Sequence, residues 1–191
     1  TSIVLTSSRS WAEIIRVATR FLGLYETAQN SAWDNPATAG SDAEARELLE
    51  LMLRCGWQQG WAYCAAFCEA VWRKAYENLG APQELARGIA NKLTPSVMES
   101  FYSWGGDITR SPVPGAIFFM QLGTTGKGHC GIVVRADGGR ISTIEGNTCP
   151  DPADAAMDRE GDGIFRRTRS MDFTARTKSL WLRGFLPPPA F

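Results

Sequence analysis

Two hydrophobic periods divide this chain. Through about residue 106, apolar residues recur three and four positions apart, the spacing of one helix face. Ile14, Ile15, Val17, Ala18, Phe21 and Leu22 form the first broad stripe, closed by Gly23. The box Ser10-Trp11-Ala12-Glu13 predicts Ser10 as its N-cap, with Glu13 reaching back from N3. A second box, Ser41-Asp42-Ala43-Glu44, predicts a helix through Leu48, Leu49, Met52 and Leu53 to Cys55-Gly56, after a loop rich in Asn, Asp, Pro and Gly. Gly56 and Gly60 mark a break after that helix. From Ala65 onward a third helix is predicted, with Phe67, Val71 and Ala75 on one face and an end near Asn78-Leu79-Gly80. Residues 82–92 read as a short helix, and Thr94-Pro95, as N-cap and N1, open another that reaches Trp104. At Pro112-Val113-Pro114-Gly115 the period changes. Residues 116–120, 128–135, 140–146, 163–168 and 180–186 are short β-branched or aromatic runs bounded by turn residues, and read as strands. Helices first and an antiparallel sheet after define an α+β fold. No linker separates the halves, so one core and a single domain over residues 1–191 are expected.

Composition narrows the function classes. Twenty basic and twenty acidic residues cancel, so no bulk charge draws the chain to nucleic acid or to an anionic membrane surface. No apolar run approaches the ~20 residues of a membrane-spanning helix. The opening Thr1-Ser2-Ile3-Val4-Leu5 is too short for a signal peptide and lacks its basic flank, so none is expected in this chain, or it has been removed. The five cysteines are an odd number without metal-ligand spacing, and a disulfide framework is not expected at this size.

One of those cysteines stands where a loop enters a helix, in Gly60-Trp61-Ala62-Tyr63-Cys64-Ala65-Ala66-Phe67-Cys68. A thiol in the first helical turn sits at the positive end of the macrodipole, which favours the thiolate. The alternative for Cys64 is a small buried hydrophobe, the commoner role of cysteine. Cys68 lies one turn further in, beside Phe67 and Val71, where the dipole has faded. His129, the only histidine, lies in Gly128-His129-Cys130-Gly131-Ile132-Val133-Val134, and the next strand carries Ile144-Glu145-Gly146-Asn147-Thr148. If residues 137–139 form a three-residue turn, His129 faces Asn147 and Glu145 is its diagonal neighbour on the same face. A turn shorter or longer by one residue puts Glu145 on the wrong face. Gly131 is expected to leave open space beside the imidazole. A thiol, an imidazole that takes its proton and a carboxylate or amide that orients the ring are what Cys–His catalysis requires. Cys64, Cys68 and a single histidine make a poor metal set, so neither metal nor cofactor is expected.

Trp61-x-Tyr63-Cys64-Ala65-Ala66-Phe67, Pro114-Gly115-Ala116-Ile117-Phe118-Phe119, Gly128-His129-Cys130-Gly131-Ile132-Val133 and Thr143-Ile144-Glu145-Gly146-Asn147-Thr148 together resemble the CHAP family of cysteine, histidine-dependent amidohydrolases and peptidases, allied to the NlpC/P60 group. The resemblance runs from about Trp11 to the last strand and implies a papain-like fold. It implies Cys64 as nucleophile, His129 as general base, Glu145 as orienting group and Asn147 as an aid in orientation or oxyanion contacts. Trp61 and Tyr63 are expected to wall a cleft around Cys64. Glu26, in Leu22-Gly23-Leu24-Tyr25-Glu26, matches the Gly-x-x-Glu segment of many members and joins them as a substrate-binding candidate. Departures are Tyr63 where members commonly have Trp, and Cys130 where they have an aliphatic residue. Asp34, Asp42 and Glu44 do not reproduce the spacing of the calcium-binding members. Cys55, Cys130 and Cys149 are expected to be structural.

The resemblance implies a monomeric hydrolase that cleaves an amide bond in the peptide part of bacterial peptidoglycan, of endolysin or antibacterial-effector type. With no room for a separate wall-binding domain, a thin Gram-negative-type wall is the expected target. The site of action is the cell wall or periplasm, reached by phage lysis or dedicated secretion. The competing readings are an intracellular cysteine peptidase or deamidase acting on protein, and a wall-binding module that has lost catalysis. The presence of all four polar positions argues against the last.

Overall fold

The first apolar stripe forms helix α1 (Ser2–Arg20), which buries Ile14, Val17 and Ala18 completely, with Phe21 buried just past its end. Ser10 does not cap it. The helix begins eight residues earlier and Ser10 lies buried within it, because no glycine or proline interrupts the chain before Gly23. The computed structural model describes residues 2–35, 42–150 and 161–191, with the side chains of residues 2–7 and 42 excepted. The cap predicted at Ser41, and the loop before it from residue 36, lie outside the described residues. Helix α2 (Asp42–Arg54) comes next as expected, then α3 (Cys64–Asn78) and α4 (Gln83–Lys92), whose N-cap is Pro82. Helix α5 (Val97–Trp104) starts later than the Thr94-Pro95 pair predicts. Ser96 caps it, accepting the Glu99 N–H at 3.4 Å, while Thr94 folds a tight turn by accepting the Ser96 N–H at 3.1 Å. Ser96 is thus the N-cap, and Thr94 sets up the turn before it.

The described residues form a seven-stranded antiparallel sheet: β1 (Tyr25–Ala28), β2 (Ala32–Asp34), β3 (Ile117–Leu122), β4 (Gly128–Asp137), β5 (Arg140–Thr148), β6 (Gly163–Ser170) and β7 (Leu180–Leu186). Their order across the sheet is β2-β1-β6-β5-β4-β3-β7. The five C-terminal strands are the five predicted runs. The β1–β2 hairpin is not visible in the sequence, since four and three residues are too few to display a period of two.

One face of the sheet packs on the helices. Ile117, Phe119, Cys130, Ile132, Ile144, Ile164 and Leu186 join residues of all five helices in one apolar core. The close approach of α3 to β5 depends on Gly146, where a Cβ would lie 2.9 Å from the Cβ of Phe67. The opposite face carries a smaller cluster that includes Phe118, Val133, Ile141 and Phe185. Helices and an antiparallel sheet sharing one core make this an α+β fold, consistent with the CHAP and papain-like type.

The β4–β5 register departs from expectation in an instructive way. Asp137 pairs with Arg140, so the turn contains only Gly138 and Gly139, both with positive φ (54° and 76°), as a two-residue type I′ turn requires. Left alone, that turn would send Glu145 to the wrong face. A bulge at Val134 inserts the missing residue: Ala136 pairs with Ile141, but Val133 pairs with Thr143 and Ile132 with Ile144. The expected alignment therefore holds at the site end of the hairpin, set by the bulge rather than by the turn.

Candidate active site

The loop that delivers Cys64 is tied down before the helix begins. Gly60 (φ 93°) donates its N–H to the Asn30 carbonyl at 2.7 Å, and the Trp57 indole donates to the Trp61 carbonyl at 3.1 Å. Trp33, Trp57 and Tyr63 pack ring against ring, Trp33 lying 5.9 Å from Trp57 and 5.0 Å from Tyr63 between centroids. Asn147, at φ 57°, points its Oδ1 at the backbone N–H of Tyr63 at 3.3 Å. An amide side chain from β5 thus holds the residue that precedes Cys64. Asn is one of the residues that tolerates this left-handed backbone.

His129 and Glu145 meet as the register requires. The imidazole Nε2 lies 2.8 Å from Oε2 of Glu145, and neither side chain is exposed. Oε1 of Glu145 accepts the Thr143 hydroxyl at 2.6 Å and Nε of Arg169 at 2.9 Å, and Oε2 accepts Nη2 of Arg169 at 2.6 Å. Burial pushes the Glu145 carboxyl up, but the Arg169 guanidinium and His129 outweigh it and hold the group well below the usual carboxylate range. Gly131 does not leave open space. A Cβ there would come within 2.6 Å of Cγ of Glu145 and 2.7 Å of Phe118, so its missing side chain is the room through which Glu145 reaches the ring.

Cys64 is the first residue of α3 and interacts with His129 directly. Burial pulls the imidazole down, yet the Cys64 sulfur and Glu145 together raise it to about 9. With Nε2 occupied by Glu145, Nδ1 has no hydrogen-bond partner and is the ring nitrogen left open to a proton. The surroundings of Cys64 oppose the macrodipole's pull toward a thiolate. Cys64 is 4% exposed, and contact with the Cys130 thiol, then burial, hold it well above the ordinary value against the opposing pull of His129. Cys130 also contacts Cys68, whose thiol is raised chiefly by burial. Cys55, Cys64, Cys68 and Cys130 are free thiols.

The other expected site residues are scattered in role. Trp61 stands at the surface, 47% exposed, on the loop before Cys64. Tyr63 is fully buried against Trp33 and offers no exposed wall. Glu26 accepts the Asn30 N–H at 2.8 Å and closes the β1–β2 hairpin, and the buried Tyr63 ring interacts with it. Two members of the network have no role assigned by the sequence motifs: Thr143 opens one of them, and Arg169 lies outside them. The signal was available in β6, where Phe165, Arg167 and Arg169 occupy alternating buried positions and the residues between them are exposed. Arginines on a buried face need a partner, and Glu145 is the acid on the neighbouring strand. Among the described residues, no three His, Cys, Asp or Glu side chains converge as metal ligands.

A buried carboxylate–imidazole pair thus stands beside a helix-starting thiol on an α+β frame. The CHAP domain family model matches residues 54–147, a span that includes Cys64, His129, Glu145 and Asn147, and the chain carries a CHAP domain. CHAP domains are amidohydrolases and peptidases. No curated protein matches the chain.

Proposed function

We propose that the chain is a peptidoglycan hydrolase that cleaves an amide bond of the wall peptide through a Cys64 thioester. The observation that carries this reading is the run Glu145–His129–Cys64, with a 2.8 Å carboxylate–imidazole contact and a thiol that interacts with the same ring. In the first half-reaction, Nδ1 of His129 takes the thiol proton as Sγ attacks the amide carbonyl carbon. The orphan N–H groups of the first turn of α3 lie beside the sulfur and supply donors for the developing oxyanion. The tetrahedral species collapses as the imidazolium returns that proton to the leaving amine, leaving an acyl-thioester. Water, deprotonated by the same imidazole, then attacks the thioester, releasing the carboxylate product and the thiol. Glu145 keeps the ring oriented and stabilises the imidazolium in both halves. Asn147 acts through the Tyr63 N–H, fixing the loop that sets the sulfur. Trp61 is the exposed aromatic near the site that a glycopeptide strand can pack on, and Glu26 and Tyr63 support that loop from beneath.

The raised thiol fits a general-base mechanism in which deprotonation accompanies attack, rather than one that starts from a standing thiolate. The working compartment is the bacterial wall or periplasm, and an endolysin or antibacterial effector, active as a monomer, is the biological form of this chemistry. Purified sacculi provide the test. The wild-type protein should lower their turbidity and release new amino groups, and Cys64→Ala should do neither. Binding of sacculi without release would point to a wall-binding module. Hydrolysis or deamidation of proteins with sacculi untouched would point to an intracellular enzyme.

A further inference from the structure

We infer that Arg169 is a positioning residue of this hydrolysis, holding Glu145 as an anion so that the carboxylate can only accept, and thereby fixing which nitrogen of His129 is the base. The inference rests on the reading of Cys64 and His129 as nucleophile and base. Glu145 is completely buried, and a buried carboxyl without a cation takes up a proton. A protonated Glu145 could donate to Nε2 of His129. The neutral ring would then carry its hydrogen on Nδ1, the nitrogen that must receive the thiol proton, and the base would be blocked. Arg169 prevents this with a planar fork on both carboxylate oxygens, 2.9 Å from Oε1 and 2.6 Å from Oε2. Thr143 takes a further lone pair of Oε1 at 2.6 Å, so the group cannot swing, and Nε2–H of His129 completes the set. Arg169 therefore acts on the imidazole through Glu145.

The groups that bear on the imidazole come from three elements: Cys64 from α3, Glu145 from β5 and, behind it, Arg169 from β6. The thiols of Cys68 and Cys130 lie in the field of Glu145 as well. Removing Arg169 takes a positive charge from this assembly, so the His129–Glu145 pair should hold its proton to higher pH.

Because His129 is the only histidine, its imidazole nitrogens can be read without ambiguity in ¹⁵N-labelled protein. In a Cys64→Ala background, which removes the thiol, the neutral ring should be the Nε2–H tautomer. Adding Arg169→Met should populate Nδ1–H and move the imidazole titration upward by about one pH unit or more. With Cys64 present, Arg169→Met should lower kcat by a factor on the order of 10² to 10⁴, near the effect of Glu145→Gln, with KM changed little. Arg169→Lys, which keeps the charge without the fork, should recover part of that loss. If Arg169→Met does not fold, the folded pair Glu145→Gln and Glu145→Gln/Arg169→Met decides. Equal kcat in the two supports the inference, and a further drop in the double variant overturns it. A folded Arg169→Met enzyme with wild-type tautomer and turnover also overturns it. Loss of the Cys64–His129 reading would look different, since turnover would then survive Cys64→Ala or His129→Ala.

Discussion

The two faces of the β4–β5 hairpin are built on opposite principles. On the helix face, Cys130, Ile132 and Ile144 meet α3 in an apolar core where shape and volume decide the packing. On the other, His129, Thr143 and Arg169 all converge on Glu145 in a buried polar network whose geometry decides its chemistry. Cys64 is where the two meet: it belongs to the apolar core by burial and touches the imidazole by position. A thiol suits this boundary. It can be buried uncharged at little cost, and it becomes a charged nucleophile only when a base removes its proton.

Altering thiols one turn apart puts this contrast under the greatest strain. Cys64→Ser and His129→Ala should each reduce hydrolysis by a factor on the order of 10⁴ or more. His129→Ala should still fold, because Glu145 keeps Arg169 and Thr143 as partners. Cys68→Ser should keep most activity and lose about 1–3 kcal/mol in denaturant unfolding, the cost of placing a hydroxyl where a weakly polar thiol was buried. A folded but inactive Cys68→Ser beside an active Cys64→Ser would reverse the assignment.

Next in size is the orienting carboxylate. Glu145→Gln should lower kcat on sacculi by a factor on the order of 10² to 10⁴, and Asn147→Ala by less, since Asn147 acts on the loop rather than on the ring. Gly131→Ala tests the polar face without removing any of its chemistry. The new methyl must displace Glu145 or Phe118, so turnover should fall and stability should drop by about 1–3 kcal/mol. Wild-type kinetics in Gly131→Ala would mean that the path of Glu145 over this residue is not needed.

The smallest effect is on stability against pH. The folded-state pKa of His129 is raised from its ordinary value to about 9, and that of Cys64 is raised as well. Groups with raised folded pKa values contribute stability that is complete below the unfolded pKa and lost as pH rises through the folded one. Unfolding free energy should therefore decline from about pH 6.5 through pH 9. The decline should be shallower in Cys64→Ala, where the imidazole loses a partner that raises it. A stability rising over that window would contradict the arrangement.

Local signals carry most of this structure. Five strands, the helix that starts at Cys64 and the pairing of His129 with Glu145 are all legible in periodicity and in alternation along a hairpin. The features that escape the sequence depend on compensation between distant positions. Gly138-Gly139 form a two-residue turn that would spoil the register, and Val134 bulges to restore it, but nothing in Ile132-Val133-Val134-Arg135 marks which residue is extra. Tyr63 reads as an exposed aromatic beside a nucleophile, yet Trp33, from a hairpin too short to predict, buries it. The helix start at Cys64 is a local feature, whereas the Cys130 thiol that lies against the sulfur comes from a strand 66 positions further along and leaves no local trace. Ser10 misleads for the opposite reason: a good capping sequence does not start a helix when the residues before it are themselves compatible with one.

Whether Cys64 cuts a wall amide is decided by mass spectrometry of peptides released from purified sacculi by the wild-type protein and by Cys64→Ala. The wild type should yield fragments that share one newly exposed amine and one newly exposed carboxylate at a single amide bond, and Cys64→Ala should yield none. Fragments released equally by both proteins would contradict this chemistry, as would fragments cut at glycosidic bonds.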